Sequence, residues 1–392
     1  MTELAPESEA EAAALVADAK ATLRLCGGGT RATLGRAIQT AATFTSRRMT
    51  GVTLYEPAEM VVGARAGTPL AEIEAVLAAK NQMLSFEPMD HRPLLGTDGE
   101  PTIGAIAAGN ISGPRRVFAG AARDSLIGVR LVNGKGEIIK SGGRVMKNVT
   151  GLDLVKVQAG AMGTLGLLTE VIFKVIPRPP AMTTLVYGAL DDALANALMC
   201  AAMGTPFEIT GAAHLPAGVG RDTARTLLRL EGFTEQLDYR TGRLRELFAA
   251  YGVPEQIDAP DATTLWQEVR DVLPLVEPRE HAVWRISVPP RAGAALAATL
   301  AEVLPIRVLY DWSGGLVWLA TPESEDAGAT VIRAAVHETG GHATLVRGSP
   351  ELRGRIEVFA PEPMAVAKLA AAIKAAHDPK GLFNPGLMYA GV

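Results

Sequence analysis

Two glycine-rich stretches constrain this chain more than any other feature: "CGGGT" at 26–30 and "GTDGEPTIGAIAAGNISGPRRVFAGAARDSLIG", which begins at Gly96. Glycine loses more conformational freedom on folding than any other residue, so such runs need a reason to be ordered. The first follows "ATLRL", which reads as a strand, and bare backbone at the end of a strand lets several N–H groups converge on an anion. A tight turn without a ligand explains the loop alone equally well. The spacing is not G-x-G-x-x-G in a βαβ unit, and no Gly-Lys-Ser/Thr follows. Neither a nicotinamide dinucleotide fingerprint nor a phosphate loop of the Walker type fits. The second stretch carries too many glycines for a regular helix or a central strand.

The 392 residues can bury a large core and favour two domains, or one with an insertion. Basic and acidic residues number 38 and 42, with no block of one sign, which argues against nucleic acid as a partner. Cys26 and Cys200 alone cannot build a disulfide framework, a thiolate zinc site or a four-cysteine iron–sulfur cluster. The acidic start and the absence of a long apolar run predict a cytoplasmic protein without direct membrane insertion.

Along the chain, 7–20 reads as a helix, 51–57 and 60–67 as strands, and "TPLAEIEAVLAAKN" as a helix with Thr68 as cap and Pro69 at its first position. "VRLVNGKGEIIKSGG" predicts two strands around Asn133-Gly134, and a long β-branched strand then ends at Pro177, Pro179 and Pro180, where a domain boundary is expected. Beyond it one pattern occurs twice. Strand 183–189, helix 191–203, strands 207–213 and 225–232 and helix 234–250 are answered by strand 282–288, helix 291–303, strands 307–311 and 315–320, helix 326–338 and strand 343–347. This is a tandem split βαβ arrangement whose first unit lacks a clear last strand in "VPEQIDAP". A helix over about 363–376 precedes a Gly- and Pro-rich end.

Taken in order, "CGGGT", "PTIGAIAAGNISGPRRVFAGAARD", "GAMGTLGLLTEVIFKVIP" and the terminal "DPKGLFNPG" resemble the FAD-binding domain of the vanillyl-alcohol oxidase and p-cresol methylhydroxylase superfamily. The brevity of the chain, "TSRRMTGVTLYEPAEMVVGARAGTPLAEIEAVLA" and "GGHATL" are similar to the smaller FAD-binding subunits of glycolate oxidase (glycolate dehydrogenase) complexes. The resemblance implies an α+β fold. A p-cresol methylhydroxylase-type FAD domain of two α/β subdomains (1–178) would carry an inserted antiparallel-sheet cap of tandem ferredoxin-like form (179–350), and a tail (351–392) would return to the FAD domain. It further implies that backbone amides of Gly27, Gly28, Gly29 and Thr30 hold the pyrophosphate. Thr102, Gly104, Ala105, Gly109, Ser112 and Gly113 would line the ring and ribityl portions, Arg123 and Asp124 close that loop, and Gly163, Gly166, Glu170 and Ile172 touch the adenosine end. Covalent members of the superfamily use a His in the first loop or a Cys in the second. Thr30 stands after these glycines and no cysteine lies between 27 and 199, so non-covalent FAD is expected.

Oxidation of a 2-hydroxy acid needs a cation for the carboxylate and a base near the hydroxyl. His342 and Asn384 are the candidates near the flavin, with a satisfied structural histidine and a turn residue as the competing readings. Arg115, Arg116, Arg285 and Arg347 are candidate carboxylate partners, and the histidine spacing predicts no metal site. Two functions stand against each other: a catalytic subunit passing electrons to a larger FAD-binding subunit and an iron–sulfur subunit, at the inner membrane only through those partners, or a non-catalytic flavin-binding subunit that organises the complex. A bare nucleotide binder leaves 96–124 unexplained.

Overall fold

The computed structural model describes residues 2–144 and 153–390. A small parallel sheet places Ala42–Thr45 between Thr2–Leu4 and Leu23–Cys26. The helix Glu9–Asp18 starts at Ser8, whose hydroxyl accepts from Glu11 N, and two glutamates in its first turn suit the positive end of the helix. It buries Ala12 and Val16 with Leu23, Phe44 and, from the far end of the chain, Leu382 and Phe383.

A five-stranded antiparallel sheet follows, in the order Val52–Glu56, Val61–Arg65, Leu167–Lys174, Leu126–Val132, Ile138–Gly142. The expected turn after Val132 is held by Asn133, whose Oδ1 accepts from the amides of Lys135 and Glu137. The helix Leu70–Ala78 begins one residue later than expected, with Pro69 at its cap. Thr68 does not cap it: its hydroxyl donates to Arg65 O at 2.7 Å and accepts from Gly51 N at 3.0 Å, inside a turn.

The second glycine stretch contains a regular helix after all, Ile103–Gly109, followed by the short helices Arg116–Ala119 and Ala122–Ser125. Gly104 explains why glycine is tolerated there. A Cβ at this position would lie 2.5 Å from Ala66 Cβ, so the bare turn lets the helix press against the end of Val61–Arg65.

From Ala181 to Arg347 the chain forms one eight-stranded antiparallel sheet, in the order Glu255–Asp258, Ala181–Gly188, Arg225–Gly232, Gly211–Leu215, Arg307–Asp311, Leu316–Pro322, His281–Ser287, His342–Arg347. Each half is a βαββαβ unit of ferredoxin-like strand order, and the halves meet edge to edge at His214 and Tyr310. "VPEQIDAP" supplies the strand missing from the first unit, paired to Ala181–Gly188. Alternation divides the faces: Leu185, Tyr187, Leu228, Trp284, Ile286 and Leu345 pack under the helices, while Val186, Leu227, Val283, Leu309, Trp318 and Val346 join the core of the preceding sheet. An unforeseen helix, Asp261–Arg270, covers part of this second face through Leu265, Trp266 and Val269.

The last helix, Met364–His377, exposes almost its whole length and is anchored by Lys374. The ammonium of Lys374 donates to Thr164 O, Phe383 O and Asp378 Oδ2. After it the tail pairs with the first sheet, through Leu23 N to Leu382 O at 2.7 Å and Asn384 N to Leu23 O at 3.0 Å. Among the described residues no helix is long and apolar enough to cross a membrane.

Candidate active site

Where the strand Leu23–Cys26 ends, the chain turns through the three glycines and opens a cleft of about 830 Å³. Its walls are Gly27, Gly29, Thr30 and Arg31 on one side, Gly104, Ala105, Ala108 and Gly109 of the glycine-rich helix on another, and Met162, Gly163, Gly166 and Asn384 on a third. The glycines are required by close approach. A Cβ on Gly27 would lie 2.1 Å from Thr102 Oγ1, and one on Gly28 would lie 1.8 Å from Glu100 O, whereas Gly29 takes a left-handed φ of +85° in open space. Thr102 Oγ1 and both terminal nitrogens of Arg31 are shielded from solvent and have no hydrogen-bond partner. Burial pushes the Arg31 guanidinium down to about 10. An unpaired buried cation and an orphaned hydroxyl beside a glycine loop are polar groups of the kind a bound phosphate-bearing cofactor satisfies.

Asn384 ties these walls together. Its Oδ1 accepts from Leu25 N and its Nδ2 donates to Met162 O at 2.9 Å, with the residue 1% exposed and at a left-handed φ of +45°. Its polar atoms are spent on backbone, so it positions the cleft and exchanges no proton with a ligand.

A second, larger cavity of about 1690 Å³ shares Leu34, Gly109 and Met162 with the first. It is lined by Ser112 and Arg116 of the glycine-rich segment, by Arg285 and His342 of the eight-stranded sheet, and by His91. Arg285 follows Val283 by two residues on its strand, which aims it at the face that meets the preceding sheet. His342 opens onto this cavity at the start of its strand; desolvation, then the guanidiniums of Arg285 and Arg116, hold its imidazole below the usual histidine range. His91 is pushed down to about 3 by burial and by Arg31. Both imidazoles are therefore neutral near pH 7.

The four candidate arginines separate into two kinds. Arg115 pairs with Glu231 in the interior, and Arg347 donates to a cage of carbonyls from Leu94, Leu275, Val276, Pro278 and His281. The guanidiniums of Arg116 and Arg285 have no hydrogen-bond or ion-pair partner among the described residues; each lies over the ring of Trp312, at 4.6 and 5.0 Å from its centroid.

Several expected contacts lie elsewhere. Arg123 is exposed, with its amide on Asn110 Oδ1 and its guanidinium on Lys156 O. Asp124 caps its own helix through Ala121 N. Glu170 and Ile172 sit mid-strand among their sheet partners, while Leu167 and Leu168 of the same strand reach the cleft. Gly113 packs against Glu87 O and accepts the indole N–H of Trp312. Arg24, Arg31, Leu34, Ala66, Met162 and His91 were not anticipated; only Arg31 carried a local signal, as the basic residue directly after the glycine loop. Among the described residues no group of His, Cys, Asp and Glu is placed to hold a metal ion.

Residues 3–142 match the family model described as an FAD binding domain. Over 95% of this chain and 93% of the relative's length, the sequence is 34% identical to the glycolate oxidase subunit GlcE of Escherichia coli (strain K12). It is 28% identical to the glycolate oxidase subunit GlcD of Bacillus subtilis (strain 168), over 74% of this chain and 68% of that one. Among solved structures, 4-ethylphenol oxidase from Gulosibacter chungangensis superposes with a TM-score of 0.74 at 13% identity, covering 99% of this chain and 89% of that one. p-Cresol methylhydroxylase with substrate bound gives 0.70 at 14% identity, covering 98% and 88%. These two likenesses show the fold.

Proposed function

Because the chain belongs to the family of the glycolate oxidase subunit GlcE, we propose that it is the FAD-binding subunit of a complex that oxidises glycolate or a related 2-hydroxy acid. On this reading FAD occupies the glycine cleft, with its pyrophosphate on the amides of Gly27 to Thr30, where the close approaches at Gly27 and Gly28 and the orphaned hydroxyl of Thr102 fit such a group. Bound FAD supplies the acceptor for the hydride. Burial raises the Cys26 thiol, which leaves it protonated and a poor nucleophile, and this supports non-covalent binding.

The observation that carries the reading is the placement of His342 on the wall of a cavity that shares Leu34, Gly109 and Met162 with that cleft. A neutral imidazole there takes the hydroxyl proton of the substrate. Electrons leave to partner subunits, a larger FAD-binding subunit and an iron–sulfur subunit, and any association with the inner membrane is through them. Anaerobic addition of glycolate to the purified flavin-containing chain tests the proposal: the flavin absorbance bleaches if the subunit oxidises substrate. An unchanged spectrum overturns catalysis by this subunit and leaves a role in assembly.

A further inference from the structure

The two unpaired guanidiniums of the larger cavity come from different halves of the molecule. Arg116 stands at the start of a short helix in the glycine-rich segment, and Arg285 on a strand of the eight-stranded sheet. Desolvation pushes Arg285 down to about 10, with Arg116 as the next cause, and burial lowers Arg116 as well. Two like charges near one ring repel, softened by the charges of Asp124 near Arg116 and Asp311 near Arg285, and the fold nonetheless fixes that ring with care. Trp312 and Ser313 both take left-handed backbone, at φ 51° and 61°, and Gly314 continues at 88°. Such conformations persist where the surroundings impose them. Trp312 Nε1 donates to Gly113 O at 3.1 Å, which fastens the turn of the large sheet to the glycine-rich segment beneath Arg116.

We infer that Arg116 and Arg285, carried on Trp312, form a carboxylate clamp that bridges the eight-stranded sheet and the glycine-rich segment when an anion binds. The clamp rests on the reading of the cavity as the 2-hydroxy-acid site and assigns the carboxylate end of that substrate to these two side chains, leaving the hydroxyl end to His342. Guanidinium and carboxylate match as planar, charge-assisted partners, and the stacked indole limits the rotamers each arginine loses on pairing. A carboxylate bridging the pair also removes the repulsion between them, so binding stabilises the contact between the two halves. Arg347 serves no such purpose, because its donors are paired with carbonyls, and Arg115 is committed to Glu231 in the interior.

The test is calorimetric titration of the full chain with glycolate and with acetate, which keeps the carboxylate and lacks the hydroxyl, together with the thermal midpoint at saturating acetate. Charge-assisted bonds of this type are worth roughly 1.5–3 kcal/mol, so Arg285→Gln and Arg116→Gln each weaken both anions by about ten- to a hundredfold. Both abolish the rise of the thermal midpoint with acetate, while Arg285→Lys keeps part of each effect. His342→Asn leaves acetate affinity within about twofold of wild type, a split that loss of general packing would not produce. Wild-type affinities in both glutamine variants, or an acetate-induced stabilisation that survives them, overturn the clamp. Titration needs neither flavin nor turnover, so a chain that binds carboxylates through these arginines but holds no FAD contradicts the proposed function and not the clamp.

Discussion

Leu25 and Asn384, 359 positions apart, are joined by a 2.8 Å hydrogen bond from the Leu25 amide to the Asn384 side chain. The same side chain donates to Met162 O, so one residue of the tail fixes the strand before the glycine loop and the turn on the opposite wall of the cleft. Asn384→Ala leaves two buried backbone groups unpaired and gives up a left-handed position that asparagine favours; the cost is about 2–4 kcal/mol. The expected result is a lowered thermal midpoint and a reduced FAD-to-protein ratio. A variant with full flavin content and wild-type stability would show that the tail does not brace the cleft.

The two kinds of glycine in the first loop separate under the same substitution. At Gly28 an alanine Cβ meets backbone, Glu100 O at 1.8 Å, and the loop must move. At Gly29 the space is open and only the left-handed φ opposes alanine, at about 1–2 kcal/mol. Gly28→Ala therefore loses more stability than Gly29→Ala in the thermal midpoint of the flavin-free protein. Equal loss in both would mean that backbone conformation, not close approach, sets the requirement.

How far this site was legible in the sequence follows from the range of the interactions that make it. The strand Arg225–Gly232 and the strand Arg307–Asp311 fall where the pattern puts them, because alternation and flanking turns are local. The helix Ile103–Gly109 escaped because its Gly104 answers Ala66, a neighbour that only the folded sheet supplies. Thr68 looked like a cap, yet the competing turn with Gly51 and Arg65 takes its hydroxyl. Among the arginines, sequence could propose four and rank none. Pairing with Glu231 or with a cage of carbonyls is decided by topology, and only that subtraction leaves Arg116 and Arg285 free.

If His342 is the base, the pH dependence has a definite sign. The imidazole must be neutral to accept a proton, and its pKa lies below the ordinary value of about 6.5. The acid limb of kcat/KM then lies below that value, and activity rises with pH through it to a plateau at neutrality. Arg285→Gln removes a cation that disfavours the imidazolium, so the limb moves to higher pH, separately from any loss of affinity. His342→Gln abolishes the limb. A limb that stays in place in both variants would assign the ionisation to another group.

Asp311, immediately before Trp312, gives a second pH signature, in stability. Its side chain is 2% exposed, accepts a 2.7 Å hydrogen bond from Trp312 N, and has its carboxyl pushed up to about 7, chiefly by burial. In the unfolded chain the same group titrates near 4. Between these values the folded protein holds a proton that the unfolded chain has released, so stability is fully present below about pH 4 and is lost as pH rises towards 7. Asp311→Asn keeps the acceptor for Trp312 N and cannot ionise. The difference in thermal midpoint between the variant and wild type therefore grows in favour of the variant from pH 5 to pH 8, with the contributions of all other groups cancelling in the comparison. A difference that stays constant over that range would show that Asp311 is ionised throughout, held so by Arg229 and Arg285 beside it.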